Sequence, residues 1–363
     1  MGNPINPTEI AAKMPHIDSA ALQGRTMLLM PFWDGTAWNM WVDAPPGQLI
    51  KVQIVEPIRS NYLANVPAHN DDLLVPLVDF MWQRASWPEV ARQILGICHD
   101  FHQLATIAAK LEHLHDARAS IDGNLLTSFV QNEIEQLIIV ARSIFDLIQE
   151  VTAHFWNDRI RLFDPAAEAI RRQRRMPDTF AKIALNGDLA RTAEEIAQRY
   201  GVPPHTSAMY AKNTPFFLSL RKSRDGIVHG GSSVDHVFAT DKGVCVDPKS
   251  KYYSGFPWKP EHHYNENIVS LRPWIANIVL RTIEACSEIM SSLASEIPFP
   301  PPIAPAHQIY IRDPANRALI RLLQVDRGEL VWWGREQDEA AAEPNPDPEH
   351  TTGGGGSGCA EPA

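Results

Sequence analysis

Two long stretches of this chain repeat their apolar side chains with the period of an α-helix, and they limit the folds it can adopt. The first covers residues 94–115 and the second 126–151, and residues 273–297 show the same period. Asp122-Gly123-Asn124 separates the first two stretches and offers a helix cap. Because an amphipathic helix needs its apolar face covered, these stretches predict a helical bundle over about residues 87–297.

Short segments rich in β-branched and aromatic residues lie outside the three helical stretches. Residues 1–80 are predicted to form a small β meander and a linker. A β-hairpin is predicted near 234–246, and a short strand-like return over 303–335. The strand-like pieces are Thr26–Trp33, Trp38–Val42, Leu49–Val55, Gln308–Ile311 and Leu330–Trp333.

The return at residues 303–335 is expected to pack on the amino-terminal meander. Residues 336–363 are acidic and rich in proline, contain a glycine run, and are predicted to be disordered. The predicted fold class is therefore mainly α, with a helical bundle and a small antiparallel β element from the terminal regions.

The composition fits a folded protein with a substantial core and limits how it can bind RNA. Of 363 residues, 44% are hydrophobic and 21% are charged, which suits one large core or a core with a smaller companion. The net charge of −10 disfavours binding of nucleic acid over a large part of the surface, because the backbone phosphates are repelled. Any RNA contact must therefore be made by a local basic cluster. Two basic clusters offer one: Arg171, Arg172, Arg174 and Arg175, typical of a solvated helix end, and Arg221, Lys222 and Arg224.

The cysteines and the absence of long apolar runs predict a cytoplasmic protein. Cys98, Cys245, Cys286 and Cys359 are scattered without CxxC pairs, which indicates reduced thiols. The sequence shows no basic-then-apolar leader, and its aliphatic runs are too short to span a bilayer. We therefore expect no membrane contact.

The segment Arg224-Asp225-Gly226-Ile227-Val228-His229 is the strongest functional signal. It ends a helical pattern that is predicted to start at Thr214, a good N-cap, with Pro215 in the first turn. At 100° per residue Arg224 falls inside the apolar stripe of this helix, where a charge needs a partner or a function. His229 falls at the edge of the stripe, in the last turn, where the helix dipole favours its protonated form.

An Arg-x4-His element with a polar residue directly after the arginine resembles the signature of the HEPN superfamily. The resemblance covers Pro215 to Gly231 and implies a small helical bundle that often acts as a metal-independent ribonuclease. It implies that Arg224 and His229 are catalytic, with Asp225 and Arg221 in support, and that neither a metal nor a cofactor takes part. It also implies a cleft shared by two protomers, and hence a homodimer.

The chemistry that such a site needs is simple, because RNA carries its own nucleophile in the 2′-hydroxyl. Cleavage requires a proton acceptor, a proton donor and a cation for the charged phosphorane, which a histidine and an arginine supply. The predicted function is an endoribonuclease of the toxin or phage-defence kind, with RNA and an antitoxin or neighbouring-gene product as partners. The alternatives are a non-catalytic HEPN-like module that binds a partner or nucleotide, and a structural helical protein whose arginine is merely paired.

Two further motifs are weaker functional signals than the Arg-x4-His element. A zinc site is suggested by Cys98-His99-x2-His102 and His113-x-His115. These residues lie on one predicted helix without partner ligands, so we favour the interpretation that they are polar residues on a helix surface. Thr192–Tyr210 resembles the opening of a helix-turn-helix, but it lacks a basic recognition helix. An ordinary bundle helix is favoured there.

Overall fold

A computed structural model gives the architecture of the chain. It describes residues 23–26, 30–44, 48–159, 161–230, 236–330 and 332–333, with the backbone alone described at 41–44, 48–51 and 228–230. The predicted disordered tail, residues 336–363, lies outside the described residues, as does the start of the predicted meander region.

Long helices fill the middle of the chain, and short strands lie before, between and after them. The helices are α1 (Pro76–Arg84), α2 (Ala91–Asp116), α3 (Gly123–His154), α4 (Pro165–Arg171), α5 (Phe180–Ala184), α6 (Ala193–Tyr200), α7 (Pro204–Gly230), α8 (Arg272–Glu296) and α9 (Asn316–Asp326). The strands are β1 (Phe32–Trp33), β2 (Trp38–Ala44), β3 (Gln48–Gln53), β4 (Ser60–Ala64), β5 (Leu73–Leu74), β6 (Leu185–Asn186), β7 (Leu189–Ala190), β8 (Val237–Ala239), β9 (Val244–Val246), β10 (Val269–Ser270) and β11 (Gln308–Arg312).

The fold class is mixed α/β, so the prediction of a mainly α bundle with a small antiparallel element is wrong. A six-stranded sheet has the order β3-β2-β1-β4-β11-β5, with two further sheets from β8–β10 and β6–β7. The large sheet is mixed because β1 and β4 run parallel, with Phe32 opposite Leu63. The strands β4 and β5 were missed because they are short and gain their partners from distant parts of the chain, which a local pattern does not encode.

The strand at Gln308–Ile311 returns to the amino-terminal sheet, as the sequence predicts. Within β11, Ile309 pairs with Leu63 of β4 and Tyr310 with Leu74 of β5, both antiparallel. The piece at Leu330–Trp333 was wrongly predicted as a strand, because residues 330, 332 and 333 form bends. The amphipathic helix α9 lies between β11 and these bends.

The predicted hairpin near 234–246 is confirmed in its described part. β8 and β9 pair antiparallel, with Ala239 opposite Val244. The turn between them is closed by the hydroxyl of Thr240, which donates to the Gly243 carbonyl at 2.8 Å. β10 pairs with β9 and extends the hairpin to a three-stranded sheet.

The three long predicted helices are confirmed as α2, α3 and α8. Asp122 caps α3 as expected, since its carboxylate accepts from the N–H groups of Asn124 and Leu125 at 3.0 and 3.3 Å. The helix α6 begins after Thr192, whose side chain forms a capping box with Glu195. Among the described residues, no helix has the length and apolar character needed to cross a membrane.

The helix that carries Arg224 is also longer than predicted. It begins at Pro204 and contains Pro215 in its interior, so Thr214 is not its N-cap. The Thr214 hydroxyl instead donates to the Tyr210 carbonyl one turn earlier, at 2.7 Å, as threonine commonly does inside helices. The segment 192–210, considered above as a helix-turn-helix, therefore comprises α6, a turn at Gly201 and the first turns of α7.

One hydrophobic core joins the large sheet to the helices. It includes Phe32, Leu63 and Ile309 from the strands together with the apolar faces of α2, α3, α7 and α8. On α7, Phe217 is fully buried, with its ring centroid 4.6 Å from that of Phe180 and 5.6 Å from that of Phe145. This aromatic contact fixes the middle of α7 against α3 and α5, and so places the end of α7.

The cap of α3 gives a test of this architecture. Asp122→Ala should lower the free energy of unfolding by about 1 kcal/mol, because two N–H groups at the start of the helix lose their acceptor. Urea denaturation followed by circular dichroism measures the change. Asp122→Ser keeps an acceptor and should stay within a few tenths of a kcal/mol of the parent; equal losses in both variants would contradict the capping role.

Candidate functional site

The last turns of α7 present a charged surface above a buried apolar side. Leu220 is buried, and Ile227 packs against the core from a partly buried position. Arg221, Arg224 and Asp225 project from the same turns and reach solvent. The burial of Leu220 and Ile227 therefore sets the orientation from which these three polar side chains leave the helix.

Asp225 lies between two guanidinium groups. Its Oδ1 is 3.1 Å from Nη1 of Arg224, and its Oδ2 is 3.6 Å from Nε of Arg221. The side chain of Arg224 is 40% exposed, that of Asp225 43% and that of Arg221 31%. The expectation that Arg224 is enclosed in the apolar stripe is wrong: its charge is shared between a neighbouring carboxylate and water.

A second carboxylate approaches the charged end of α7 from the hairpin β6–β7. Nη2 of Arg221 lies 3.5 Å from Oδ1 of Asp188. The hairpin turns at Gly187 and Asp188, and Gly187 has φ +63°, a conformation that glycine adopts at little cost. Asn186-Gly187 is a common hairpin signal, but the strands on either side have only two residues each and carry no recognisable pattern.

Residue 229 belongs to α7, whereas the side chain of His229 lies outside the described part of the structure. In a regular helix, residues five apart are separated by about 140° around the axis and about 7.5 Å along it. Of the predicted site residues, Arg221, Arg224 and Asp225 lie close together in the structure. The catalytic assignment of Arg224 and His229 stays a prediction.

The other basic cluster is organised by one acidic residue. Glu168 accepts from Nε and Nη2 of Arg171, both at 2.8 Å, and from Nε of Arg172 at 2.9 Å. Arg171 also donates to the Trp156 carbonyl and is mostly buried, unlike Arg172, Arg174 and Arg175. The cluster therefore combines one structural arginine with three that face solvent.

Three of the four histidines considered for zinc have other partners. Nδ1 of His102 lies 2.7 Å from Oδ2 of Asp313, and Nδ1 of His115 accepts from the Val244 N–H at 3.3 Å. His99 contacts the side chain of Gln103. In the part of the chain that the structure describes, no group of three or more His, Cys, Asp or Glu side chains has an arrangement that could hold a metal ion.

A polar cleft beside β11 was not anticipated from the sequence. It encloses about 490 Å³. Arg312 contacts Asp72 and Glu56, while Asp313 accepts from Arg59 and His102. Burial alone would raise the pKa of Asp313, but the hydrogen bonds from His102, the Ala315 N–H and Arg59 lower it on balance.

The ion pairs in this cleft tie β11 to the amino-terminal sheet and to α2, so we assign them a structural role. The signal for them was the adjacent pair Arg312-Asp313, directly after the predicted strand at Gln308–Ile311. Two opposite charges at the end of a strand do not by themselves indicate their partners, which lie far away in the sequence.

Comparison with known proteins adds no relative to this description. The chain matches no protein-family model, and no curated protein and no solved structure is significantly similar to it.

Glu168 gives a pH-dependent test of the arginine cluster. Hydrogen bonding from Arg171, more than any other contact, lowers the pKa of Glu168 to about 2. A carboxyl group with a depressed folded pKa stabilises the fold above its unfolded pKa of about 4.3, and this contribution is lost as the pH falls towards 2. Glu168→Gln should therefore cost about 2 kcal/mol at neutral pH and flatten the loss of stability between about pH 5 and pH 2.

Urea denaturation across this pH range checks the Glu168 prediction. Glu329→Gln removes an exposed carboxylate elsewhere and should leave the profile unchanged. A Glu168→Gln profile that runs parallel to that of the parent would show that Glu168 does not carry the effect.

Proposed function

We propose that the chain is a metal-independent endoribonuclease whose site lies at the carboxyl end of α7. Arg224 and His229 are the catalytic residues of this proposal, and Arg221 and Asp225 support them. The Arg-x4-His resemblance described above extends it to a toxin or phage-defence role. A cytoplasmic location is part of the proposal and is supported by the free, buried thiols of the described cysteines, Cys98, Cys245 and Cys286.

The observation that carries the proposal is the pair of partly exposed guanidinium groups that share the carboxylate of Asp225. Guanidinium groups bind phosphate oxygens in a planar, bidentate manner and stay charged at every physiological pH. Because Arg221 and Arg224 lie one turn apart on the same helix, a phosphate that displaces Asp225 would meet two cations. This arrangement suits a phosphodiester better than it suits a neutral ligand.

The proposed reaction is an internal transfer at phosphorus. The 2′-oxygen attacks the adjacent phosphorus while the bond to the 5′-oxygen breaks, which leaves a 2′,3′-cyclic phosphate and a free 5′-hydroxyl. A neutral imidazole accepts the 2′-hydroxyl proton, and a protonated imidazole donates to the departing 5′-oxygen. Arg224, assisted by Arg221, stabilises the additional negative charge on the phosphorane oxygens.

The same contacts also support a second candidate function, which is binding without cleavage. Asp225 and Asp188 already offset much of the positive charge of Arg221, so the surface also suits a module that binds a nucleotide or a partner without cleaving it. The catalytic test below separates the two, because a binding module retains its ligand but forms no cyclic phosphate.

Substitution of the two catalytic residues tests the proposal directly. Arg224→Ala and His229→Ala should each reduce RNA cleavage by at least about a hundredfold, since each removes a charge or proton transfer in the transition state. Cleavage by the parent should persist in EDTA and leave 2′,3′-cyclic ends, identified by mass spectrometry of the products. Lys249→Gln removes an exposed charge outside both basic clusters and serves as the control. Cleavage that survives both alanine substitutions, or that needs a divalent metal, would refute the proposal.

The proposal includes a homodimer with the end of α7 at the interface. Residues 224 and 229 lie about 140° apart around a regular helix, so a single copy does not direct both at one phosphate from the same face. A two-fold axis beside α7 repeats the same patch on both subunits and brings two arginines and two histidines into one cleft.

Sedimentation velocity tests the homodimer. The parent should sediment at about twice its chain mass of 40.6 kDa at micromolar concentration. Arg224→Glu should shift the population towards monomer, because Asp225 loses its guanidinium partner and each subunit then places two carboxylates close to the axis. A monomeric parent would exclude the shared cleft and favour the binding module.

A further inference from the structure

A second basic surface lies away from the end of α7, in the segment between α3 and α5. We call it the arginine surface and define it by Arg161, Arg172, Arg174, Arg175 and Phe163. All five residues are exposed. They contrast with the chain as a whole, which carries a net charge of −10.

Part of the positive charge on the arginine surface is not offset by nearby carboxylates. Arg175 is 81% exposed and only approaches Asp158, at 3.8 Å, while Arg172 pairs with Glu168. Among the residues that the structure describes, Arg161 and Arg174 form no ion pair. Three guanidinium groups, those of Arg161, Arg174 and Arg175, are therefore available to an external anion.

The same segment exposes an apolar ring. The side chain of Phe163 is 62% exposed. Its backbone N–H donates to the Glu296 carbonyl at the end of α8, at 3.1 Å, which fixes its position along the chain. An exposed aromatic ring costs solvation free energy in the free protein, and a base stacked on it removes that cost.

The backbone that carries this surface is held in place. Glu168 accepts from the Leu162 N–H at 2.9 Å as well as from Arg171. The side chain of Asn157 exchanges two hydrogen bonds with the backbone of Met176, at 2.9 and 3.0 Å. Glu168 and Asn157 thus hold the backbone at Leu162 and Met176 in place before any ligand binds, which lowers the ordering cost of binding.

We propose that the arginine surface binds single-stranded RNA, as a second contact for the substrate of the site proposed on α7; this inference rests on that proposed function. Guanidinium groups bind backbone phosphates, and an exposed aromatic ring stacks on an unpaired base, which a duplex does not offer. The acidic remainder of the chain confines nucleic acid to such local basic surfaces.

The position of the surface fits a strand that reaches the proposed site. Met176, next to Arg175, contacts the hydroxyl of Tyr210 on α7 through its sulfur, at 3.9 Å. Tyr210 precedes Arg224 by fourteen residues, which corresponds to about 21 Å along a helix. A single strand of several nucleotides covers that distance.

The test measures binding independently of cleavage. The probe is a fluorescein-labelled single-stranded RNA with 2′-O-methyl groups, which lacks the attacking hydroxyl, and the readout is fluorescence anisotropy at several salt concentrations. Arg161→Gln/Arg174→Gln/Arg175→Gln should weaken binding about tenfold or more and reduce the slope of log affinity against log salt by about 2. The matched control, Lys242→Gln/Lys251→Gln/Arg327→Gln, removes three exposed charges elsewhere and should leave the slope nearly unchanged.

The aromatic ring is tested with a second pair of variants. Phe163→Ala should weaken binding about fivefold or more, and Phe163→Tyr should restore it, because stacking needs only a ring. Thermal unfolding of each variant shows whether the fold is intact. If the triple substitution unfolds the protein, the single Arg161→Glu variant replaces it and should itself weaken binding.

The outcomes separate this inference from the proposed function. Weaker binding by the arginine variants in a protein that never cleaves ordinary RNA would support the surface and refute the ribonuclease. Cleavage that depends on Arg224, together with equal binding by the arginine and control triples, would do the reverse. Tighter binding of a duplex of the same sequence, unaffected by Phe163→Ala, would overturn the assignment to single strands.

Discussion

The burial of one face of α3 is the constraint on which the rest of the structure depends. This helix packs against α2, α7 and α8, and its inner side chains belong to the same core as the strands of the large sheet. Phe145 of α3 meets Phe180 and Phe217 there, so the position of α7 follows from aromatic packing rather than from its charged residues. The exposed end of α7 is thereby left free for polar contacts.

The ion pairs of the arginines form on helices whose positions are already set by apolar packing. The chain is acidic overall, yet arginines gather at the end of α7, beside Asp225 and Asp188, and between α3 and α5, where two of them share Glu168. At the first place Asp225 and both arginines are partly exposed, so water screens their ion pairs and an anion competes with the carboxylate. At the second place Glu168 is largely enclosed and serves as a structural anchor.

The sequence predicted elements whose signals are local and missed those that depend on distant partners. The helices α2, α3 and α8 have long apolar stripes, and the cap at Asp122 needs only its own neighbours, so both were predicted correctly. The strand β5 has only two residues and β4 contains no β-branched residue, and their partner β11 lies far away in the sequence. For this reason the fold class was predicted incorrectly although most helices were not.

The candidate site also combines local features that the sequence predicts with contacts to distant residues that it does not predict. The proximity of Arg221, Arg224 and Asp225 follows from helical spacing, and the structure places them together. The exposure of Arg224 was not predictable, because a helical wheel gives the direction of a side chain but not what covers it. The contact of Arg221 with Asp188 depends on a hairpin that the sequence pattern did not reveal.

The place of β11 in the large sheet has a consequence for synthesis of the protein. This strand lies between β4 and β5, so both strands keep an open edge until residues 308–312 leave the ribosome. Open edges recruit other strands, and pairings between distant segments form slowly. Nascent chains therefore carry an unfinished sheet until β11 is made, and the sheet closes only when this strand pairs with two strands far before it in the sequence.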